Sequence, residues 1–202
     1  MLSKKELCFY IKADRIMNTG CDKVPFFKNL FYPDYTLKYL FLLRKCEYYQ
    51  SHNPIIFNYY YYRFWRLGRK LGFSINLNVF GYGLVIPHYG TIVVGDGNKI
   101  GNYCVLHTST CITAGRKNIG DAFYVSTGAK VIKDINLPDG ISVAPNSVVS
   151  HSVQENDVLL AGAPAKIVKE SSKWYIRDGE RYRDRVAKVE ELKKEQLKTR
   201  KI

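Results

Sequence analysis

Aliphatic side chains recur through the middle of the chain at a spacing that belongs neither to a helix nor to a flat sheet. Val94, Ile100, Leu106 and Ile112 lie six apart, and after one step of seven, Ile119, Val125, Val131, Leu137, Val143 and Val149 resume the spacing of six. A helix repeats its apolar face every 3.6 residues and a strand every two. A period of six instead describes a chain that turns a corner every six residues and sends one side chain inward at each turn. The pattern predicts a prism-like parallel β-helix. Gly95, Gly101, Gly120 and Ser126 follow anchors, with Gly128, Gly140 and Asn146 nearby. Gly, and after it Asn, tolerates the positive φ that a tight corner needs.

The flanks follow other rules. Leu37, Leu40, Phe41 and Leu43 after Pro33-Asp34, and Ile55 to Leu71 after Pro54, carry helical spacing and helix-start signals. Residues 1–71 therefore form an N-terminal helical segment. Its first 70 residues hold 18 of the 28 Phe, Trp and Tyr residues, including Tyr59 to Tyr62 followed by Arg63, Phe64, Trp65 and Arg66. Two readings stay open: a cap packed on the open end of the β-helix, or an interfacial element, since Tyr and Trp beside Arg and Lys suit the membrane–water boundary. Residues 72–169 form the repeat domain. Over 170–202, Tyr182, Val186, Val189 and Leu197 make a helical stripe, with Asp184–Lys188 and Glu190–Lys194 four apart, and predict a charged C-terminal helix.

Charge sharpens this division. The net charge of +13 is split as +8 over residues 1–70, zero over 71–168 and +5 over 169–202. Basic flanks around a neutral core attract acidic lipid headgroups, acidic glycans or nucleic acid, or simply keep the protein soluble. No helix-turn-helix, zinc-finger or RNP-like motif accompanies the charge, so nucleic acid is the weakest of these partners. Five cysteines without a CxxC pair indicate reduced thiols rather than a disulfide framework or a zinc knuckle. No signal peptide and no run of roughly 20 apolar residues is present. The expected location is the cytoplasm, with peripheral contact at the inner membrane face left open by the basic flanks.

His88 stands six residues before Val94, at a corner of the first coil, within Pro87-His88-Tyr89-Gly90-Thr91. His107 follows Leu106 and lies 19 residues after His88. Three hexads, about 18 residues, make one triangular turn, so the two histidines project from neighbouring positions on one edge. Three histidines converging on a metal are not offered by the spacings of His88, His107 and His151, and no metal is expected. His52 and His151 have no motif around them.

The segment GLVIPHYGTIVVG, the hexads after it and the terminal AGAPAKIV resemble the left-handed β-helix acyltransferases of the serine acetyltransferase type, especially the branch found with capsule and surface-polysaccharide synthesis. The resemblance covers residues 72–169. It implies a mainly β fold, a left-handed parallel β-helix of hexapeptide repeats, and a homotrimer with its active sites between subunits. It also implies acetyl transfer from acetyl-CoA to a hydroxyl in one step within a ternary complex. Imidazole titrates near neutral pH, so one histidine can take the hydroxyl proton as the oxygen attacks the thioester, and no enzyme nucleophile is needed. His88 matches the family's base. Asn76 and Asn78 are the nearest polar candidates to orient it, and His107, Tyr89 and Arg116 are candidates for the acceptor site. Gly128, Ala129, Ala144, Gly162 and Lys166 match positions along the coenzyme groove, with Lys166 or Lys169 near the nucleotide phosphates.

Departures from the family bear on the acceptor. Pro87 replaces the aspartate that helps bind the amino acid, and the Arg-His pair of a later coil falls on Gly115-Arg116, without its histidine. A zwitterionic substrate needs fixed opposite charges, because burying unpaired charge is costly. The expected acceptor is accordingly a sugar hydroxyl of a surface polysaccharide or its precursor, with serine as the alternative. A non-catalytic β-helix scaffold or a membrane-surface adaptor is the reading from another class. A terminal Ile202 invites comparison with insertion into cysteine synthase, but the basic KTRKI tail makes that partner improbable.

Overall fold

The computed structural model describes residues 3–23 and 33–198. Its centre is a parallel β-helix of five turns with three walls. The first wall stacks β1 (Phe73–Ile75), β2 (Ile92–Val94), β5 (Thr110–Ile112), β8 (Lys130–Val131) and β11 (Val148–Val149). The second stacks β3 (Lys99–Ile100), β6 (Asn118–Ile119) and β9 (Asn136–Leu137). The third runs β4 (Val105–Leu106), β7 (Tyr124–Val125), β10 (Ser142–Val143) and β12 (Val158–Gly162), and the antiparallel β13 (Ala165–Glu170) closes it.

All ten anchors of the period-six pattern are buried and meet in one core. Each fully buried aliphatic contributes about 1.5–3 kcal/mol of transfer free energy, so the ladder is the main cohesive element of the prism. Gly128, Gly140 and Asn146 have positive φ, as their corner positions suggest. Gly95, Gly101 and Gly120 are glycine for a different reason. A Cβ there would lie 2.1 Å from the Ala114 amide nitrogen, 2.3 Å from Asp121 Oδ1 and 2.2 Å from Asp139 Oδ1 respectively. These three positions answer to the close approach of the next coil.

Three helices precede the prism: α1 (Lys4–Thr19), α2 (Tyr35–Tyr49) and α3 (Pro54–Leu71). Asp34 caps α2 through the Leu37 amide, and Asn53 caps α3 through the Ile55 and Ile56 amides. Tyr39, Leu40, Leu42, Leu43 and Cys46 of α2 and Phe64 of α3 join the β-helix core, which makes the two helices a cap. The cap reading of the aromatic segment holds for one face: Phe57 and Tyr60 pack against the core, whereas Tyr59, Tyr62 and Trp65 are exposed. At the cap's centre the enclosed Arg44 guanidinium meets Asp14 at 2.7 Å and Glu47 at 2.9 Å, and donates to the Phe80 and Gly81 carbonyls.

The sequence reading did not include α1, although Ser3 and Glu6 form its capping box. Together with α4 (Trp174–Arg177) and α5 (Glu180–Lys198), α1 covers the outside of the third wall. Phe9, Ile16, Met17, Trp174 and Val189 form a second core there with Tyr82, Val85, Tyr103 and Val105. The expected pairs Asp184–Lys188 and Glu190–Lys194 are not formed. Glu190 instead accepts hydrogen bonds from the hydroxyls of Tyr82 and Tyr103, because the wall offers it buried donors. Ile202 and most of the KTRKI tail lie outside the described residues. Among the described residues, no helix is long and apolar enough to cross a membrane.

Candidate functional site

The corner between the third and first walls gathers two of the four histidines, His88 and His107. Val85 bridges to Val105, and the His107 amide donates to the Val125 carbonyl, so the segments bearing His88, His107 and Ser126 turn the same corner in successive coils. The next steps of this ladder are the Ser126 amide on the Val143 carbonyl and the Ala144 amide on the Leu160 carbonyl. His88 is exposed on the edge beside Tyr89, itself 76% exposed. The loop that carries them is pinned where the Gly90 amide donates to the carbonyl of Leu71, the last residue of α3.

His107 sits deeper and is held on several sides. Its Nε2 lies 2.8 Å from the Tyr124 hydroxyl, and its carbonyl accepts from Thr110 Oγ1. Burial, followed by the charge of His88, lowers its pKa, while Asp178 pulls the other way. The neutral ring is therefore the favoured form at pH 7. Burial and the Asp178 carboxylate raise the Tyr124 pKa, so its phenol stays protonated. The Arg177 guanidinium lies over the Tyr124 ring at 5.0 Å, and it bonds Asp178 as well as the hydroxyls of Ser142 and Ser171.

The structure brings His88, Tyr89 and His107 to one edge, and Gly128 and Ala144 continue that edge through the following coils. Gly162, at the end of β12, donates its amide to Ser147 Oγ, and Lys166 is exposed on β13. Four of the expected residues are otherwise placed or engaged within the chain. Asn76 and Asn78 follow β1 at another corner: Asn76 bonds the Val94 carbonyl, and Asn78 is tied to Glu47 of α2 and to Gln50 at its C-terminal cap. Neither touches His88, which makes no hydrogen bond to the described residues. Arg116 lies at the turn after the first wall, where its amide meets Asp134, and so stands away from the histidine edge. Ala129 is wholly buried, with its amide and carbonyl engaged with Ser126 and Cys111.

Tyr124, Arg177 and Asp178 were missed by the sequence reading. Tyr124 is one outward-facing position among many, and α4 reaches the corner only through tertiary packing, with Trp174 Nε1 donating to the Tyr103 carbonyl at 2.7 Å. Among the described residues, no group of three or more His, Cys, Asp or Glu side chains is placed to hold a metal ion.

The fold and the repeat together define the class of protein that this chain resembles. No family model matches the sequence. It is 31% identical over 115 residues to a serine acetyltransferase of Buchnera aphidicola, a match covering 51% of this chain and 42% of that relative. Among solved structures, a serine acetyltransferase from Brucella abortus superimposes with a TM-score of 0.64 at 20% identity, over 83% of this chain and 69% of the other. A serine acetyltransferase in complex with CoA superimposes with a TM-score of 0.57 at 18% identity, over 80% and 68% respectively. The chain spans about half the length of the curated relatives it matches. Its fold is the left-handed β-helix of these enzymes, and its repeat region is serine acetyltransferase-like in sequence.

Proposed function

We propose that the protein is an O-acetyltransferase that moves the acetyl group of acetyl-CoA directly to a hydroxyl, with His88 as general base. The observation that carries this reading is the single edge on which His88 and His107 stand above Ser126, Gly128 and Ala144. The acceptor hydroxyl gives its proton to the His88 imidazole as its oxygen attacks the thioester carbonyl. The carbon–sulfur bond then breaks, and the departing thiolate takes the proton back. Pantetheine is an amide chain and suits the backbone of a small-residue edge, with Lys166 available to the nucleotide phosphates as a point charge.

L-serine is the acceptor that the relatives favour over a sugar. The geometry lends support, because α4 and its C-terminal cap supply the fixed opposite charges that the repeat alone lacks. Arg177 lies over the Tyr124 ring and Asp178 is within electrostatic reach of His107, where a carboxylate and an ammonium can pair with them. A sugar hydroxyl is the second reading, favoured by Pro87 at the position of the family's substrate-binding aspartate and by the exposed ring of Tyr89. Assembly is proposed as a homotrimer, in which a neighbouring copy would supply the orienting contact that His88 lacks within its own chain.

Release of CoA thiol, measured with L-serine and with a panel of nucleotide sugars, tests the proposal. We expect turnover of L-serine with kcat/KM at or above about 10⁴ M⁻¹s⁻¹, reduced roughly 10²–10⁴-fold in a folded His88→Ala variant. Turnover of sugars alone would move the acceptor to the second reading. No turnover with any hydroxyl would overturn the enzyme assignment, and full activity without His88 would overturn its role as the base.

A further inference from the structure

The outer face of α3 is not used by the fold or by the proposed chemistry, and its composition is one-sided. The helix carries Arg63, Arg66, Arg69 and Lys70 and no Asp or Glu. Its inner face packs on the core through Phe64, with Phe57, Tyr60 and Leu67 beside it. Outward it presents Ile55 at 80% exposure, Tyr59 at 57%, Tyr62 at 56% and Trp65 at 48%. Isolated exposed apolar residues are ordinary, whereas a contiguous row along one helix marks a contact surface.

The cations are interleaved with the rings by helical geometry. Residues four apart are neighbours on a helix, and each ring meets a guanidinium one turn later: Arg63 over Tyr59 at 5.3 Å, Arg66 over Tyr62 at 5.6 Å and Arg69 over Trp65 at 4.7 Å. Lys38 of α2 extends the patch, forming with Tyr35, Tyr62, Arg63, Arg66 and Lys70 the rim of a groove of about 220 Å³. None of these cations has a carboxylate within 4.0 Å among the described residues. The positive charge is thus free to meet an external anion.

We infer that this face docks the protein on the surface of an anionic lipid bilayer. Amphipathic rings and guanidinium groups at one depth match the headgroup layer, where the rings bury their apolar edges and the cations meet lipid phosphates. At 18 residues the helix is about 27 Å long. It is too polar to cross a membrane and lies flat along its surface. A protein partner of ordinary composition would leave several of the four cations unpaired at the contact. A bilayer containing acidic lipids supplies counter-charges in any register. The inference is independent of the acceptor and of the reaction.

Co-sedimentation of the whole protein with vesicles tests it, comparing pure phosphatidylcholine with phosphatidylcholine containing about one third phosphatidylglycerol. Binding to the acidic vesicles alone, weakened by salt, is the expected result. The R63Q/R66Q/R69Q variant is expected to partition about a hundredfold more weakly, since each cation near an acidic surface contributes roughly a fivefold factor. Y62A/W65A, which keeps every charge, is expected to lose affinity as well, with an unchanged melting curve in both variants. Equal binding to neutral vesicles, or undiminished binding by the triple variant, would overturn the inference. So would failure of the wild type to bind vesicles while the same substitutions dissociate an oligomer or abolish RNA binding. The face would then belong to another copy or to a polyanion.

Discussion

The imidazole of His107 and the phenol of Tyr124 meet at 2.8 Å across adjacent coils of the third wall. Tyr124 is itself held under the Arg177 guanidinium, so the tyrosine fixes the orientation of the histidine ring. A hydrogen bond of this kind contributes about 1 kcal/mol, or roughly a fivefold factor in rate. Tyr124→Phe should therefore lower kcat about fivefold while leaving KM for acetyl-CoA and the melting temperature near their original values. Steady-state kinetics with a thermal scan checks this. An unchanged kcat would reduce Tyr124 to a packing residue.

The lowered pKa of His107 has a consequence for stability. Its causes are burial first and the neighbouring His88 second. Above the ordinary value of 6.5 the ring is neutral in both the folded and the unfolded chain, and the shift has no effect. As pH falls below 6.5 the unfolded chain takes up the proton first, so stability declines until pH passes the folded pKa. Melting temperatures between pH 7.5 and pH 5 should fall more steeply for the wild type than for His107→Gln. Parallel curves would show that protonation of this ring is not linked to folding.

The interior of the prism was legible because one rule governs it. Each anchor from Val94 to Val149 ends a short strand and points inward, and the spacing of six survives any choice of outward residue. The shared edge of His88 and His107 follows from the same count. What lay outside that rule was read less well. Asn76 and Asn78 are near His88 in sequence, but a wall of the prism separates their corner from its own. Arg177 and Asp178 come from a segment with no repeat at all, delivered by the packing of Trp174 against the wall. Even so, α1 had a local signal in Ser3 and Glu6, because a side chain three residues into a helix reaches back to its cap.

The buried Arg44 joins α1, α2 and the first coil, and its removal should be costly. Its guanidinium is wholly enclosed between Asp14 and Glu47, which hold it charged. Arg44→Met would keep much of the volume but leave two enclosed carboxylates without their counter-ion. Removing one partner of a buried ionic group typically costs about 3–5 kcal/mol. Urea unfolding of the variant should show a loss of that size, and a loss below about 1 kcal/mol would mean that water reaches the cap.

The edge that descends from His107 can be blocked without touching either histidine. Ala144 follows the buried anchor Val143 and turns the corner two coils below His107, with its amide tied to the Leu160 carbonyl and its side chain partly exposed. A large ring at this position has solvent on one side, so the prism need not distort to admit it. If the pantetheine arm runs along this edge, Ala144→Trp should raise KM for acetyl-CoA by at least about tenfold, equivalent to about 1.4 kcal/mol of lost binding. KM for the acceptor should change little, because the acceptor sits by His88 and His107 above the obstruction. Initial rates with each substrate varied in turn separate the two effects. An unaltered KM for acetyl-CoA in a normally melting variant would move the coenzyme to a different edge.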